Sequence, residues 1–168
     1  MQTDRLILSR PTAADFQDFH EIHTDPAVYR HVENFQPRTL DESRQDLANL
    51  IAEWDAKGIG YYAVREAEGG PIIGFTGLMW YHRDGEDRLN LYYRYRPSVW
   101  SRGYALEAAR AALDEIAGTP YAALRVFAKI RDNNPASRRL AERLGMRWDG
   151  VTYDERGQCV FLFPEKEH

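Results

Sequence analysis

Cysteine is nearly absent: Cys159 stands alone in 168 residues. An internal disulfide is therefore impossible, and a reducing, cytoplasmic setting is expected. No apolar run approaches the roughly 20 residues that span a bilayer, and the opening MQTDRLILSR lacks a signal-peptide core, so no membrane partner is expected. Neither sign of charge dominates. With 22 Lys and Arg against 26 Asp and Glu, the net −4 argues against general nucleic-acid binding and is compatible with a cationic substrate. The chain has no Gly-Lys-Ser/Thr loop ending and no G-x-G-x-x-G string, which excludes the two commonest nucleotide cradles. Internal repeats, low-complexity tracts and linkers are also missing, so residues 1–168 are read as one domain. His20 and His23 are spaced like a metal pair, but no third ligand lies nearby. Amphipathic packing explains them better, and no metal is expected.

What is present centres on Leu89 to Ala117. Leu89 to Tyr95 is aromatic and aliphatic, as a strand is, and Pro97 ends it because it has no amide for a sheet ladder. Ala105, Ala108, Ala109, Ala112, Leu113 and Ile116 then recur as one apolar helix face, with Gly118 placed to stop the helix. Between them lies Ser98-Val99-Trp100-Ser101-Arg102-Gly103-Tyr104-Ala105. A helix start leaves amides without intrahelical acceptors and favours an anion. Gly103 and Ala105 admit a ligand to the backbone, and Arg102 adds a phosphate-shaped fork. Taken alone, this loop reads equally as a phosphate cradle and as a plain strand-to-helix turn.

Around that centre, Thr3 to Arg10 reads as a first strand, with Leu6 and Leu8 on one side. A helix opens at Pro11-Thr12 with Thr12 as N-cap, and Phe16, Phe19, His20 and His23 share its face. Residues 29–38 read as irregular. Thr39 and Glu42 have capping-box spacing for a helix to about Ala56, closed by Gly58 and buried along Leu47, Leu50, Ile51 and Trp54. Tyr61 to Ala67 and Ile72 to Tyr81 form a hairpin. The loop His82 to Asp87, with Asp84-Gly85, then leads into Leu89 to Tyr95 as the third strand of a meander. Ala122 to Ile130 is a further strand, and Asn134 caps a helix with Pro135 at its first position, Ala136, Leu140, Ala141 and Leu144 inward, and Gly145 at its end. Met146 to Tyr153 and Gln158 to Phe163 make a last hairpin around Asp154 to Gly157. The fold class is α+β: a mixed, mostly antiparallel sheet flanked by helices.

Two strings carry a family resemblance. The loop resembles the acyl-CoA loop of the GNAT superfamily of N-acetyltransferases, Gln/Arg-x-x-Gly-x-Gly/Ala, with Gly103 and Ala105 in the last two fixed places and Trp100 in the first. Trp100 to Ala108 looks like the subgroup that includes the ribosomal-protein N-terminal (alanine/serine) acetyltransferases, although Ser101 stands where that subgroup often has Gly. Asn134 to Met146 looks like the superfamily's Asn-x-x-Ser/Ala helix ending in Lys/Arg-x-Gly-Phe/Met. For Asn134 alone, helix capping is a sufficient account. Together and in this order, the two strings make the resemblance specific.

The resemblance implies a splayed parallel pair, Leu89 to Tyr95 beside Ala122 to Ile130, whose unpaired backbone receives the amides of pantetheine. It implies acetyl-CoA as co-substrate: the backbone of Tyr93 and Tyr95 at the pantetheine, the amides of Ser101, Arg102, Gly103, Tyr104 and Ala105 at the pyrophosphate, and Asn134 at the pantetheine arm. Acetyl would pass directly to a primary amine, from a protein N-terminus or a small molecule. The Tyr93 or Tyr95 amide would serve as oxyanion donor, and Ser137 as donor to the leaving thiolate. Many members have a tyrosine acid where this chain has Ala141, and the subgroup often has a glutamate base where it has Asn90. Those departures favour an α-amine, with a reference pKa of about 8, over a lysine at about 10.4. They also keep open a CoA-binding module without catalysis, acting as sensor or interaction domain. Glu33 and His82 are guesses for a base. Specificity falls in residues 29–38, 80–88 and 153–158. The acceptor and the choice between monomer and homodimer cannot be read from the sequence.

Overall fold

The computed structural model describes residues 1–83, 85–153 and 158–163. Seven strands form one mixed sheet: β1 (Ile7–Ser9), β2 (Tyr61–Arg65), β3 (Gly74–Arg83), β4 (Glu86–Tyr95), β5 (Arg125–Arg131), β6 (Arg147–Tyr153) and β7 (Gln158–Leu162). Their spatial order is β1-β2-β3-β4-β5-β7-β6. Every neighbouring pair is antiparallel except β4 and β5. The four α-helices are α1 (Phe16–Thr24), α2 (Leu40–Lys57), α3 (Tyr104–Ile116) and α4 (Pro135–Arg143).

The boundaries follow local chemistry. At α2 the Thr39 hydroxyl accepts from the Glu42 amide at 3.2 Å while the Glu42 carboxylate accepts from the Thr39 amide at 2.7 Å. Gly58 ends the same helix at φ 70°, a conformation that only glycine adopts without cost. Asn134 caps α4 by accepting from the Ser137 amide, with Pro135 at the first helical position.

Several expectations need correction. The first strand is only Ile7–Ser9. Thr12 does not open α1 directly: its amide and hydroxyl both donate to Asp15, and a 3-10 turn, Ala13–Asp15, precedes the helix. The third and fifth strands begin at Gly74 and Arg125, the latter because Pro120–Ala123 winds into another 3-10 turn. On α4, Ala136 is exposed rather than inward; Ala141 is the buried residue. The expected turn Asp154 to Gly157 and Asp84 lie outside the described residues.

Helix α1 covers one sheet face, its Phe19 ring edge-on to Phe75 at 5.2 Å and its His23 stacked on Tyr92. Helix α2 packs along α1, with Ser43 Oγ 2.8 Å from His20 Nδ1. The opposite face carries α3 and α4, where Ala109, Ile116 and Ala141 join Leu89, Leu91, Ala128 and Phe161 in a buried cluster. Among the described residues, no helix is long and apolar enough to cross a membrane.

Candidate functional site

The site grows from the alternation of β4. Asn90, Tyr92 and Arg94 project toward the α1 face; Leu89, Leu91, Tyr93 and Tyr95 project toward α3 and α4, as the period of two requires. Backbone groups alternate in the other direction. The Arg96 amide donates to Ile73 at the β3 edge, so Leu91, Tyr93 and Tyr95 direct their amides and carbonyls toward β5.

On that edge β5 soon departs. The parallel register runs only through Arg88↔Arg125, Leu89↔Val126 and Asn90↔Phe127. Beyond it β5 pairs on its far side with β7, from Phe127↔Leu162 to Arg131↔Gln158. A wedge-shaped gap opens between Leu91–Tyr95 and 128–131. Its β4 edge is an unfinished ladder, suited to an extended ligand that brings its own amides. Trp100 already uses one group on that edge, its indole donating to the Tyr95 carbonyl at 2.9 Å.

The loop at the head of α3 lies at the end of this gap. Two of its residues are left-handed, Ser101 at φ 64° and Gly103 at φ 81°. Gly103 is the N-cap, and the first amides of α3 have no acceptor one turn back. Thr3 and Arg5 hold this helix start. The Thr3 hydroxyl, the Arg5 amide and Arg5 Nε reach the Glu107 carboxylate at 2.6, 3.0 and 2.7 Å, and Arg5 also donates to the Arg102 carbonyl. Glu107, the acid in the first turn, therefore has its charge matched by Arg5 and leaves the loop itself suited to an anion. Arg102 is half-exposed, 3.6 Å from Glu66, which also accepts from Tyr104.

Across the gap, the Tyr93 side chain meets α4. Its hydroxyl donates to the Ser137 carbonyl at 3.1 Å, and the Ser137 hydroxyl donates to it at 3.0 Å. Burial pushes the Tyr93 phenol up to about 12, against the hydrogen bond from Ser137, so it holds its proton at neutral pH. Sequence reasoning valued only the Tyr93 backbone. The missed signal was its place on the α4 face of the strand, which delivers a phenol one turn before Ala141. Ala141 itself is fully buried against the sheet. Asn134 spends its Oδ1 on the Ser137 amide at 3.2 Å and keeps its Nδ2 as a further donor. The Tyr95 ring is core, its hydroxyl 2.6 Å from Thr76 Oγ1.

On the α1 face of the gap lies a cavity of about 290 Å³, walled by Tyr61, Tyr81, Asn90, Tyr92, Arg94 and Lys129 among others. Asn90 donates to the Tyr61 hydroxyl at 3.1 Å, and the Tyr61 and Tyr92 rings stack at 4.2 Å. Arg94 donates to the Tyr29 hydroxyl, its guanidinium 4.4 Å from that ring and 5.2 Å from that of Tyr92. His31 is held below the ordinary histidine range by burial and then by Arg131, Arg94 and Arg30. The two guessed bases are not in this wall: His82 bonds Asp87 at 2.6 Å in the β3–β4 hairpin, and Glu33 is exposed. Nor is His23 available. Burial pushes it down to about 3, and it sits between the Phe19 carbonyl at 2.7 Å and the Tyr92 hydroxyl at 2.9 Å. Among the described residues, no group of three or more His, Cys, Asp or Glu side chains could hold a metal ion.

Known proteins resemble the chain in family and in fold. A family model described as an acetyltransferase (GNAT) domain matches residues 5–147. The chain is similar to a solved putative GnaT-family acetyltransferase from Bordetella pertussis, at 26% identity and TM-score 0.77, over 98% of each chain. It shares its fold with RimL, a ribosomal L7/L12 alpha-N-protein acetyltransferase, at 15% identity and TM-score 0.71, over 96% of this chain and 90% of that one. It likewise shares its fold with the microcin C7 self-immunity acetyltransferase MccE, solved with acetyl-CoA and AMP, at 11% identity and TM-score 0.69, over 95% and 92%.

Proposed function

The chain belongs to the GNAT acetyltransferase family, and from that premise we propose that it transfers acetyl from acetyl-CoA directly to an α-amine, on a protein N-terminus or a small molecule. It acts as one cytoplasmic domain over residues 1–168. The observation that carries the reading is the gap between β4 and β5, open on the side of Tyr93 and Tyr95 and headed by the left-handed turn at Ser101 and Gly103.

Acetyl-CoA, when bound, supplies a thioester whose carbonyl carbon accepts the amine lone pair, forming the C–N bond and breaking the C–S bond to release CoA thiolate. The protein supplies position and electrostatics. The amides of Ser101, Arg102, Gly103, Tyr104 and Ala105, with the helix dipole of α3 behind them, receive the pyrophosphate. The backbone of Tyr93 and Tyr95 and the Asn134 Nδ2 hold the pantetheine arm in the gap, as the alternation of β4 supports. An amide of that strand edge polarises the acetyl oxygen as it gains charge. The Tyr93 phenol, backed by the Ser137 hydroxyl, turns from the Ser137 carbonyl to hydrogen-bond the departing thiolate, which takes up the proton that the amine nitrogen loses; the raised pKa keeps the phenol itself protonated. No carboxylate lies in the described wall of the cavity to deprotonate an ammonium, and Asn90 cannot take a proton. An amine that is already partly neutral is the fitting nucleophile. At pH 7 the difference between reference pKa values of about 8 and 10.4 is worth on the order of 3 kcal/mol.

The test is thiol release from acetyl-CoA with two peptides, one with a free N-terminus and no lysine, the other N-acetylated with one lysine. The first should react faster. A faster second peptide rejects the α-amine reading. Tight acetyl-CoA binding without thiol release on any amine would instead favour the non-catalytic binding module.

A further inference from the structure

The cavity on the α1 face is cationic and aromatic, although the chain as a whole is acidic. Two of its six named walls carry positive charge, Arg94 and Lys129, and three carry phenol rings. Arg94 is the more telling. Its guanidinium is half-buried, gripped by the Tyr29 hydroxyl and flanked by two rings, and no carboxylate pairs with it among the described residues. By contrast Arg65 on β2 and Arg96 just past the end of β4, comparably buried, are matched by Asp15 and by Asp18 with Glu21. A planar fork held this way is preorganised for a carboxylate, which it accepts through two parallel hydrogen bonds.

Resting on the acetyl-transfer reading above, we propose that the acceptor is a small zwitterion of the α-amino-acid class, its carboxylate bound by Arg94 and its apolar or aromatic side chain set against Tyr61 and Tyr92. Three observations converge on it. The cavity of about 290 Å³ stands at the lower end of small-molecule sites, which suits one amino acid better than a peptide segment. Arg94, with no carboxylate partner among the described residues, disfavours polyamines and the like, against the cationic substrate that net charge alone allowed. The third concerns the proton. A free amino acid's carboxylate holds the neighbouring ammonium in its charged form; pairing that carboxylate with Arg94 cancels the effect and leaves the ammonium in a positive field. Arg94 thereby favours the neutral nucleophile that no carboxylate base in the described wall provides.

The experiment measures thiol release from acetyl-CoA with leucine, phenylalanine and tryptophan, each beside its own amide, and with spermidine and an unblocked peptide. The amides are the less basic amines, so chemistry alone makes them react faster. The inference expects the reverse, with kcat/KM at least tenfold higher on the acids. Arg94→Gln should cost the acids about tenfold to hundredfold, chiefly in KM, a loss at least tenfold larger than on the amides. Arg94→Lys should recover part of it. Equal or faster reaction of the amides, or an equal loss on both series, overturns the anion site and leaves acetyl transfer standing. So does faster reaction of spermidine or of the peptide. Silence of every amine, with acetyl-CoA still raising the melting temperature, overturns the inference and the α-amine reading together.

Discussion

The Tyr93 hydroxyl and Ser137 bond reciprocally, the phenol donating to the serine carbonyl at 3.1 Å and accepting from the serine hydroxyl at 3.0 Å. The pair ties β4 to α4 across the gap. It also gathers two hydroxyls where a thiolate would need them. Tyr93→Phe and Ser137→Ala should each lower kcat by about tenfold to hundredfold. The double variant should lose little more than the worse single one, because the two act as a unit. The acetyl-CoA shift in melting temperature should survive in all three. An unchanged kcat would leave the pair as a strand-to-helix tie only.

Gly103→Glu should abolish that melting shift. A side chain at φ 81° costs about 1 kcal/mol of stability; its Cβ would lie 3.4 Å from Arg5 Nη2, and the carboxylate brings a negative charge to a loop suited to phosphate. The measurement is a thermal melt with and without acetyl-CoA, after circular dichroism has shown that the variant folds. A full shift would place the pyrophosphate elsewhere.

Stability should depend on pH through His23. Its folded pKa, about 3, lies below the unfolded value near 6.5, so the unfolded chain binds the extra proton between them. The stabilising contribution is complete above pH 6.5 and is lost as pH falls toward 3. Urea melts should show a loss of about 1 kcal/mol between pH 7.5 and 5.5 that His23→Leu lacks. Equal slopes in the two proteins would assign the acid lability to other groups.

Gly77 faces its neighbour with no room to spare: a Cβ there would lie 2.2 Å from the Gly60 carbonyl oxygen, which is backbone and cannot swing away. Gly77→Ala should destabilise the fold by about 3 kcal/mol or more, and should disturb Tyr61, its partner in register, and with it the cavity wall. Gly58→Ala meets nothing within 4 Å and should cost only about 1 kcal/mol, for its positive φ. Comparable losses in the two variants would contradict the crowding between β2 and β3.

Periodicity and capping carried most of the fold. The helix at Thr39–Gly58, the Asn134 cap and the three-strand meander were all readable, because each depends on residues within one or two turns of the chain. The strand ends at Gly74 and Arg125 were not, since Ile72 and Ile73 are as apolar as the strand they precede and their burial comes from distant packing. Within the site, the cradle string could be found from local pattern. The Tyr93 phenol against Ser137 joins residues 44 positions apart, and Arg94 between Tyr29 and Tyr92 joins a strand to a segment that read as irregular. Such meetings depend on topology, which no local window contains.

The strand order has a consequence for synthesis. Because β7 lies between β5 and β6, the far edge of β5 has no partner until residues 158–162 have been made. A nascent chain that stops short of them offers two bare edges on β5, one facing the gap and one awaiting β7. Edges of that kind recruit strands from other chains. The β5 side of the gap thus depends on a segment translated some sixty residues after β4, and the site is incomplete until β7 has been made.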